Sequence, residues 1–264
     1  MKSIKFLTIS TGLILLAFAI KAFANHKVTP AKNNSQIANG KGFALVELFT
    51  SEGCSSCPPA DALLARIQKE TKDKPVYILA YHVDYWNHQG WKDVFSSTEY
   101  TNRQRAYSHF LNASIYTPQV VVNGRSEYVG SDEPALRSAI TGALAIAPVA
   151  GVTLLAQQNG DKLTVNYEVS GTTNTGQLLI AIVQKNAVSK IQGGENEGRT
   201  LAHAQIVRGL QMLNITPEKK GAGIIKLPKG FDSDSWEIVG FIQDKASGEI
   251  LTATKAIFNK PPRA

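Results

Sequence analysis

The sequence is poor in cysteine, in methionine and in clustered positive charge. Its 264 residues include two cysteines and two methionines. A single cysteine pair excludes a fold held by a disulfide framework, because small scaffolds of that kind need several bridges. The balance of 43% hydrophobic and 19% charged residues argues against disorder, collagen and a coiled coil, and the length allows a sizeable core.

The net charge of +7 comes largely from the amino terminus. The first 24 residues contain three lysines and no acid, so the rest of the chain has 25 basic and 21 acidic residues, a net charge of +4. Beyond this segment, adjacent basic residues occur only at Lys219 and Lys220. Nucleic-acid binding needs a clustered basic face, so the sequence predicts no nucleic-acid partner.

The amino terminus has the pattern of a signal peptide. Lys2 and Lys5 precede an apolar stretch over residues 6–20, and Ala22-Phe23-Ala24 gives the small-x-small pattern of a cleavage site before Asn25. The alternative is an uncleaved anchor, but 15 residues are short for a span of about 20. We therefore predict cleavage of residues 1–24, a periplasmic or secreted protein without a stable membrane span, and a compartment in which disulfides persist.

After a polar lead-in over residues 25–40, the hydrophobic pattern alternates between strand and helix as far as residue 147. Short apolar runs predict strands, helical spacing and capping signals predict helices, and an Asn-Gly pair predicts a tight hairpin. The order is strand, helix, strand, helix, strand, strand, helix. The predicted elements are strands at 43–49 and 76–83, a helix at 58–71, a helix capped by Ser96 and Glu99, a hairpin at 118–129 turning at Asn123-Gly124, and a helix capped by Ser131 or Asp132.

The pattern changes after Pro148. Partial alternation and turn signals at Asn159-Gly160-Asp161 and Ser247-Gly248 are typical of antiparallel strands. A glycine-rich segment at 192–199 separates the strand candidates into two groups. We predict an α/β domain over residues 41–147 and an antiparallel all-β, sandwich-like domain over residues 148–260, with strands at 149–156, 162–169, 177–184, 224–227, 236–243 and 250–258.

The two cysteines form a Cys-Ser-Ser-Cys motif between a predicted buried strand and a predicted helix. A thiol there faces the positive end of the helix dipole and free backbone N–H groups, which favour the thiolate. The two-residue spacer lets one thiol reach a mixed disulfide on the other. We therefore predict a redox-active disulfide, with Cys54 as the exposed nucleophile and Cys57 as the resolving thiol.

The cysteine pair also allows other interpretations. A static disulfide closing so short a loop would stabilise the chain by only ~2 kcal/mol, and a pair of inert buried thiols is another alternative. Cys54, Cys57 and either His82 or His88 could bind copper, since thiolates suit Cu(I). No second cysteine pair supports such a site, and we predict no metal and no cofactor.

The segment over residues 81–91 is dense in aromatic, imidazole and carboxylate groups. It follows the second predicted strand, and ligand chemistry gathers at the carboxyl ends of strands in open α/β sheets. We predict that Trp86 contacts substrate and that Glu52, His82 and Asp84 could tune the protonation of the thiolate. The alternative is an ordered loop whose tryptophans fill gaps against the second domain.

A later segment carries four further candidates, namely Glu195, Asn196, Arg199 and His203. This segment could reach over the dithiol and form a lip for substrate. The alternative, which we favour from sequence, is a charged loop whose Arg199 holds the two domains together.

Four motifs resemble an exported bacterial family known as domain of unknown function 1223, within the thioredoxin-like superfamily. They are FTSEGCSSCPPAD, YHVDYWNHQGWKD, YTPQVVVNG and GENEGRTLAH, between about Ala44 and Arg208. The resemblance implies a thioredoxin-like α/β domain with a carboxyl-terminal β domain and establishes no substrate. In that fold the place of Thr117-Pro118 is a cis-proline loop against the dithiol, so we predict a cis bond there and a substrate-binding role for both residues.

The sequence thus predicts an exported thiol–disulfide oxidoreductase that acts through Cys54 and Cys57. Its substrates would be protein or small-molecule thiols and disulfides, and it would need a redox partner. The alternative is a non-catalytic copper-handling or protein-binding module, since a fold alone does not fix function. The spacer is Ser-Ser, without the Gly-Pro of a reducing thioredoxin. Pro58 and Pro59 have no backbone N–H to donate, so the effect of the helix end on the pKa of Cys54 stays open. The motif therefore does not fix the redox direction.

Overall fold

The computed structural model describes residues 42–173 and 175–259. These residues contain twelve strands and three α-helices. The predicted leader and lead-in lie outside these residues. The helices are α1 Pro58–Glu70, α2 Thr98–Leu111 and α3 Glu133–Leu144. The strands are β1 Ala44–Thr50, β2 Val76–His82, β3 Gln119–Val122, β4 Ser126–Val129, β5 Ala150–Asn159, β6 Lys162–Gly171, β7 Gly176–Lys190, β8 Thr200–Leu213, β9 Lys220–Lys226, β10 Trp236–Asp244, β11 Ile250–Lys255 and β12 Ile257–Phe258. Among these helices, none has the length and apolar character needed to cross a membrane.

The strands form one sheet of eight and one of four. The large sheet has the order β11-β10-β7-β8-β2-β1-β3-β4, and the small sheet has the order β12-β5-β6-β9. Strands β1 and β2 are parallel and pair along their whole length, from Ala44 opposite Val76 to Thr50 opposite His82. Strand β8 joins the free edge of β2 in parallel, with Ala80 opposite Ile206.

The predicted fold class, a thioredoxin-like α/β domain followed by a separate antiparallel β domain, is wrong. Strands from both halves of the chain share the eight-stranded sheet, and the described residues lie in one compact unit. The physical reason lies at the edge of β2. An exposed strand edge leaves backbone N–H and C=O groups unpaired, and the long β7–β8 hairpin covers that edge.

Three apolar clusters pack on the two faces of the large sheet. One face is continuous across both halves, so that Phe49 and Tyr81 share a core with Val183 and Phe241 under α2. On the opposite face, α1 and α3 cover β1, β2 and β3. The small sheet packs on the same side against β7 and β10. A core that both halves build together explains why they do not form independent domains.

Local sequence signals determine where several of the helices and strands begin or end. Asn123 and Gly124 both have positive φ, 49° and 64°, as the predicted tight turn between β3 and β4 requires. Asp132 caps α3 by accepting a hydrogen bond from the Ala135 N–H at 3.1 Å. Helix α2 is capped by Ser97, which accepts from the Glu99 N–H, so the predicted Ser96 cap is one residue early.

A buried ion pair lies at the centre of the shared core. The Arg103 Nε atom on α2 donates to the Glu47 carboxylate on β1 at 2.6 Å, and Glu47 is fully buried. Arg103 also donates to Tyr107 at 3.0 Å and to Gln243 on β10 at 3.1 Å. The Tyr107 hydroxyl donates to the second Glu47 oxygen. The cluster therefore ties β1 and α2 to a strand from the other half of the chain.

Candidate functional site

The two cysteines lie in the turn that connects β1 to α1. Both are free thiols in this structure, which is the reduced form of the predicted redox-active pair. Cys54 is 1% exposed and Cys57 is fully buried. The expectation that Cys54 is exposed is therefore wrong, because the side chains of Ser56 and Thr117 pack against its sulfur.

Several hydrogen-bond donors converge on the Cys54 sulfur. The Ser56 and Thr117 hydroxyl oxygens each lie 3.3 Å from it, and the Thr117 carbonyl lies at 3.8 Å. The hydrogen bond from the Cys57 thiol is the largest influence on the pKa of Cys54. Burial opposes it, but with the Ser56 and Thr117 hydroxyls the donors lower the pKa of Cys54 to about 6. Donors stabilise a thiolate because they bind the charged form.

Cys57 has the opposite environment. Burial raises its pKa most, and its hydrogen bond to Cys54 and the negative charges of Cys54 and Asp61 raise it further, while Thr50 lowers it. The Thr50 hydroxyl donates to an Asp61 carboxylate oxygen at 3.0 Å. Burial also raises the pKa of Asp61. At neutral pH the pair therefore consists of one thiolate, Cys54, and one protonated thiol, Cys57.

The predicted substrate-contacting residues lie next to Cys54. The Thr117–Pro118 peptide bond is cis, as the sequence predicts. The indole Nε1 of half-buried Trp86 donates to the Thr117 hydroxyl at 2.8 Å, and that hydroxyl donates onward to the Cys54 sulfur. Trp86 thus orients the hydroxyl so that its proton faces the sulfur.

Replacing Thr117 with valine should raise the pKa of Cys54, because it removes a donor to the thiolate without changing the side chain's shape. The pH midpoint of Cys54 alkylation by iodoacetamide should be about 6 in the unmodified protein. In Thr117→Val we expect it to move up by roughly one pH unit. Thr164→Val on β6 is the matched control, and an unchanged midpoint in Thr117→Val would show that this hydroxyl does not stabilise the thiolate.

The residues predicted to tune the thiolate lie elsewhere in the site. Glu52 is fully buried and accepts a hydrogen bond from the Trp91 indole at 2.7 Å. His82 is fully buried, and its Nδ1 lies 2.7 Å from an Asp93 carboxylate oxygen. Asp84 accepts hydrogen bonds from threonine hydroxyls at the start of α2. The structure does not place these three residues in hydrogen-bond contact with Cys54.

Glu52, His82, Asp93 and His203 form a buried polar cluster beneath the dithiol turn, which we call the imidazole cluster. The Glu52 N–H donates to Asp93 at 2.9 Å, and Glu52 Oε1 lies 3.2 Å from His203 Nε2. The two imidazole rings are 5.1 Å apart. Burial disfavours charge on His82, but the Asp93 carboxylate outweighs burial and raises the pKa of His82.

The imidazole cluster contains polar atoms without hydrogen-bond partners among the described residues. They are Glu52 Oε1, His82 Nε2 and both ring nitrogens of His203. The contact between Glu52 and His203 is close, but its angles do not make a hydrogen bond. Buried polar atoms are nearly always hydrogen-bonded in native proteins, so this group of four atoms needs an explanation beyond packing.

The loop between β7 and β8 holds the dithiol turn in place. Asn196 is fully buried, and its amide donates to the Glu52 carbonyl at 2.8 Å and to the Cys54 carbonyl at 2.9 Å. Exposed Glu195 accepts from the Ser55 N–H at 3.0 Å. Arg199 donates to the Asn196 side-chain oxygen at 2.6 Å. The second half of the chain therefore contributes directly to the site, with Asn196 as its main contact.

Sequence reasoning missed Thr50, Asp61 and Asp93. Asp61 lies one helical turn after Cys57, and this i, i+4 spacing could have placed it beside the resolving thiol. Asp93 lies in a loop distant along the chain from Glu52, so its contacts carry no local signal. Strand β8 was also missed, and it brings His203 to the site.

The copper alternative requires a histidine beside the dithiol. His82 is instead bonded to Asp93, and His88 is exposed on a short 3₁₀ helix, Asn87–Gln89. Across residues 42–173 and 175–259, no three His, Cys, Asp or Glu side chains are arranged to hold a metal ion. The donor geometry of the described residues therefore does not favour a copper site.

Comparison with known families places the chain. The model of the family described as "Protein of unknown function (DUF1223)" matches residues 45–243, from β1 into β10. The chain belongs to this family. A search of curated proteins gave no significant match.

Among solved structures, the chain is similar to protein AGR_C_4864 from Agrobacterium tumefaciens. The two are 26% identical, with a TM-score of 0.62 over 84% of this chain and 96% of that one. A DUF3823 family protein from Bacteroides ovatus gives 13% identity and a TM-score of 0.29, over 42% of this chain and 55% of that one. A domain of the outer membrane lipoprotein Omp28 from Porphyromonas gingivalis gives 13% and 0.26, over 42% and 89%.

Proposed function

We propose that the protein is an exported thiol–disulfide oxidoreductase that uses Cys54 and Cys57. The observation that carries this proposal is the asymmetry of the pair. Cys54 accepts hydrogen bonds from three donors, whereas Cys57 is a buried thiol that donates to it. A static structural disulfide would not need donors aimed at one sulfur, but a nucleophilic thiolate does.

The first step is attack of the Cys54 thiolate on a substrate disulfide. A bond forms between Cys54 Sγ and one substrate sulfur while the substrate S–S bond breaks, and the other substrate sulfur leaves as a thiolate. The low pKa of Cys54 keeps it ionised at neutral pH. The Ser56 and Thr117 hydroxyls hold its sulfur in place before the attack.

The second step releases the substrate. Cys57 loses its proton and attacks Cys54 Sγ, a Cys54–Cys57 disulfide forms, and the second substrate sulfur leaves as a thiolate. The substrate gains two electrons and the protein pair loses two. We assign Asp61 as the base, because its carboxylate accepts from the Thr50 hydroxyl and both residues act on the pKa of Cys57. A dithiol partner returns the pair to the reduced state, and a disulfide partner drives the cycle in reverse.

Substrate must first reach a sulfur that is almost fully covered. The side chain of Ser56 is exposed, and its hydroxyl lies 3.4 Å from the Thr117 carbonyl, which can accept its proton in place of the Cys54 sulfur. Rotation of this small side chain uncovers the Cys54 sulfur without movement of the backbone. The opening suits a protein disulfide on an extended segment or a small-molecule disulfide, placed against Thr117, Pro118 and Trp86.

The test is a redox assay on the leader-free chain. The protein should equilibrate with glutathione redox buffers and accelerate the reduction of insulin disulfides by a dithiol. The control is a variant with both cysteines replaced by serine, which should show the uncatalysed rate. If the pair stays in one redox state in every buffer and insulin reduction is not accelerated, the proposal is wrong.

A further inference from the structure

When Cys57 attacks the mixed disulfide, its thiol releases a proton that has no direct path to solvent. The Cys57 side chain is fully buried, and in the mixed disulfide the substrate itself covers the Cys54 side of the pair. The proton must therefore move inward, through groups of the protein. Thr50 and Asp61 lie on that side: the Thr50 hydroxyl donates to the Asp61 carboxylate at 3.0 Å, and both residues act on the pKa of Cys57.

The imidazole cluster lies next along this direction. Burial raises the pKa of Asp61, and the charge of His82, which lies opposite Thr50 in the pairing of β1 with β2, opposes that rise. The groups that face these rings come from several elements: Glu52 after β1, Asp61 on α1, and Asp93 in the loop before α2. The unpaired ring nitrogens found here are the atoms that a proton relay needs, because each can gain or lose a proton.

A pocket that is lined in part by His203 adjoins the imidazole cluster. It has a volume of about 440 Å³ and lies between α1 and the β7 and β8 strands. Gln68, Lys69, Lys185 and Glu237 line it together with His203, which is only 4% exposed. His203 thus belongs both to this pocket and to the imidazole cluster.

We propose that the imidazole cluster takes up the proton released by Cys57 and passes it through His203 to the pocket between α1 and β8. The inference rests on the proposed function, because it concerns the second step of the exchange. In each turnover the thiol proton of Cys57 moves to the Asp61 carboxylate, then to an imidazole nitrogen, and then to water in the pocket. His203 is a proton-relay residue here, without contact to substrate.

The two steps can be followed separately with dithiobis(nitrobenzoate), an aromatic disulfide. Attack by Cys54 releases one coloured thionitrobenzoate, and resolution by Cys57 releases the second. In His203→Phe, which keeps an aromatic ring against Phe95 and His82, the first phase should be unchanged. The second should slow by roughly 10- to 100-fold, the lower part of the range for lost acid–base catalysis. His109→Phe, at an exposed position on α2, is the matched control.

Chemical rescue distinguishes a relay from a structural role. In His203→Ala, the deleted ring leaves space beside the pocket, and added imidazole should restore the second phase in a concentration-dependent way. A second phase that stays fast in both His203 variants would overturn the inference, as would equal slowing of both phases or failure of imidazole to restore the rate. If the unmodified protein releases no second equivalent, the proposed function itself fails and this inference with it.

Discussion

Replacing Cys57 with serine should leave Cys54 held in mixed disulfides with its substrates, whereas Cys54→Ser should form none. The reason is the division of roles between the two sulfurs. Cys54 can still attack a disulfide in the Cys57→Ser variant, but no thiol is left to attack the product. A serine at position 57 keeps a hydroxyl donor close to the Cys54 sulfur, so its pKa should stay low.

The effect on turnover should be large in both variants. Loss of either member of a two-step nucleophilic pair removes the covalent route, and we expect catalysed insulin reduction to fall by roughly 10³-fold or more. The two variants differ in the species that accumulates. Non-reducing electrophoresis of the full chain, expressed with its leader in a bacterial host, should show adducts for Cys57→Ser that disappear on reduction.

Cys57→Ala serves as the control for the donor. It also traps mixed disulfides, but it removes the largest influence that lowers the pKa of Cys54, so its alkylation midpoint should rise above about 6. Adducts in Cys54→Ser and none in Cys57→Ser would reverse the assignment of the two thiols. No adducts in either variant would contradict an exchange reaction.

The dithiol and its local setting could be predicted from the sequence, because the signals are short in range. The strand, the Cys-Ser-Ser-Cys turn and the helix follow one another directly, and Asn123-Gly124 encodes its own turn. The cis bond at Thr117-Pro118 follows from the resemblance to thioredoxin-like proteins, which the order of the elements supports. Each of these features depends on residues that are neighbours along the chain.

Strand β8 could not be predicted in the same way. Its buried positions include the polar residues His203 and Gln205 between the apolar residues Leu201 and Val207, so the apolar face of the usual alternation is interrupted. Gln205 also has a φ of 57°, which interrupts the strand period. Without β8 the sequence pattern contains no strand that connects the two halves, and it therefore predicts two domains.

The imidazole cluster could not be predicted for the same reason. The imidazole cluster is built from the end of β1, the end of β2, a loop and β8, so it exists only once the large sheet has formed. The polar residues His203 and Asn196 are buried at the site, where they contact Glu52 and Cys54. Positions where the sequence pattern fails are thus the positions where function departs from packing.

Replacing Arg103 with methionine should lower the free energy of unfolding by about 3–5 kcal/mol, because it leaves Glu47 as a buried charge without its partner. The Arg103 side chain is 8% exposed, and Glu47 is fully buried. The guanidinium also packs over the rings of Tyr81 and Phe241, at 5.5 and 5.2 Å from the centroids. Urea unfolding followed by circular dichroism measures the change.

A second variant separates the buried charge from the lost packing. In Glu47→Gln/Arg103→Met the orphaned carboxylate is gone, so most of the lost stability should return. Arg137→Met breaks ion pairs with Glu70 and Glu133 on the surface and should have a small effect, since solvent screens exposed pairs. Equal, small losses in Arg103→Met and Arg137→Met would show that the buried pair does not stabilise the fold.

The same experiment tests whether the two halves of the chain fold together. Glu47 and Arg103 precede residue 147, but Gln243 and Phe241 lie on β10, and all of them meet in one cluster. If the eight-stranded sheet is one cooperative unit, Arg103→Met should shift the unfolding of both halves equally. Fluorescence of Trp236 on β10, with Trp86 and Trp91 replaced by phenylalanine, and alkylation of Cys54 should then report a single transition at the same urea concentration. Two separate transitions would mean that the shared sheet does not couple the halves.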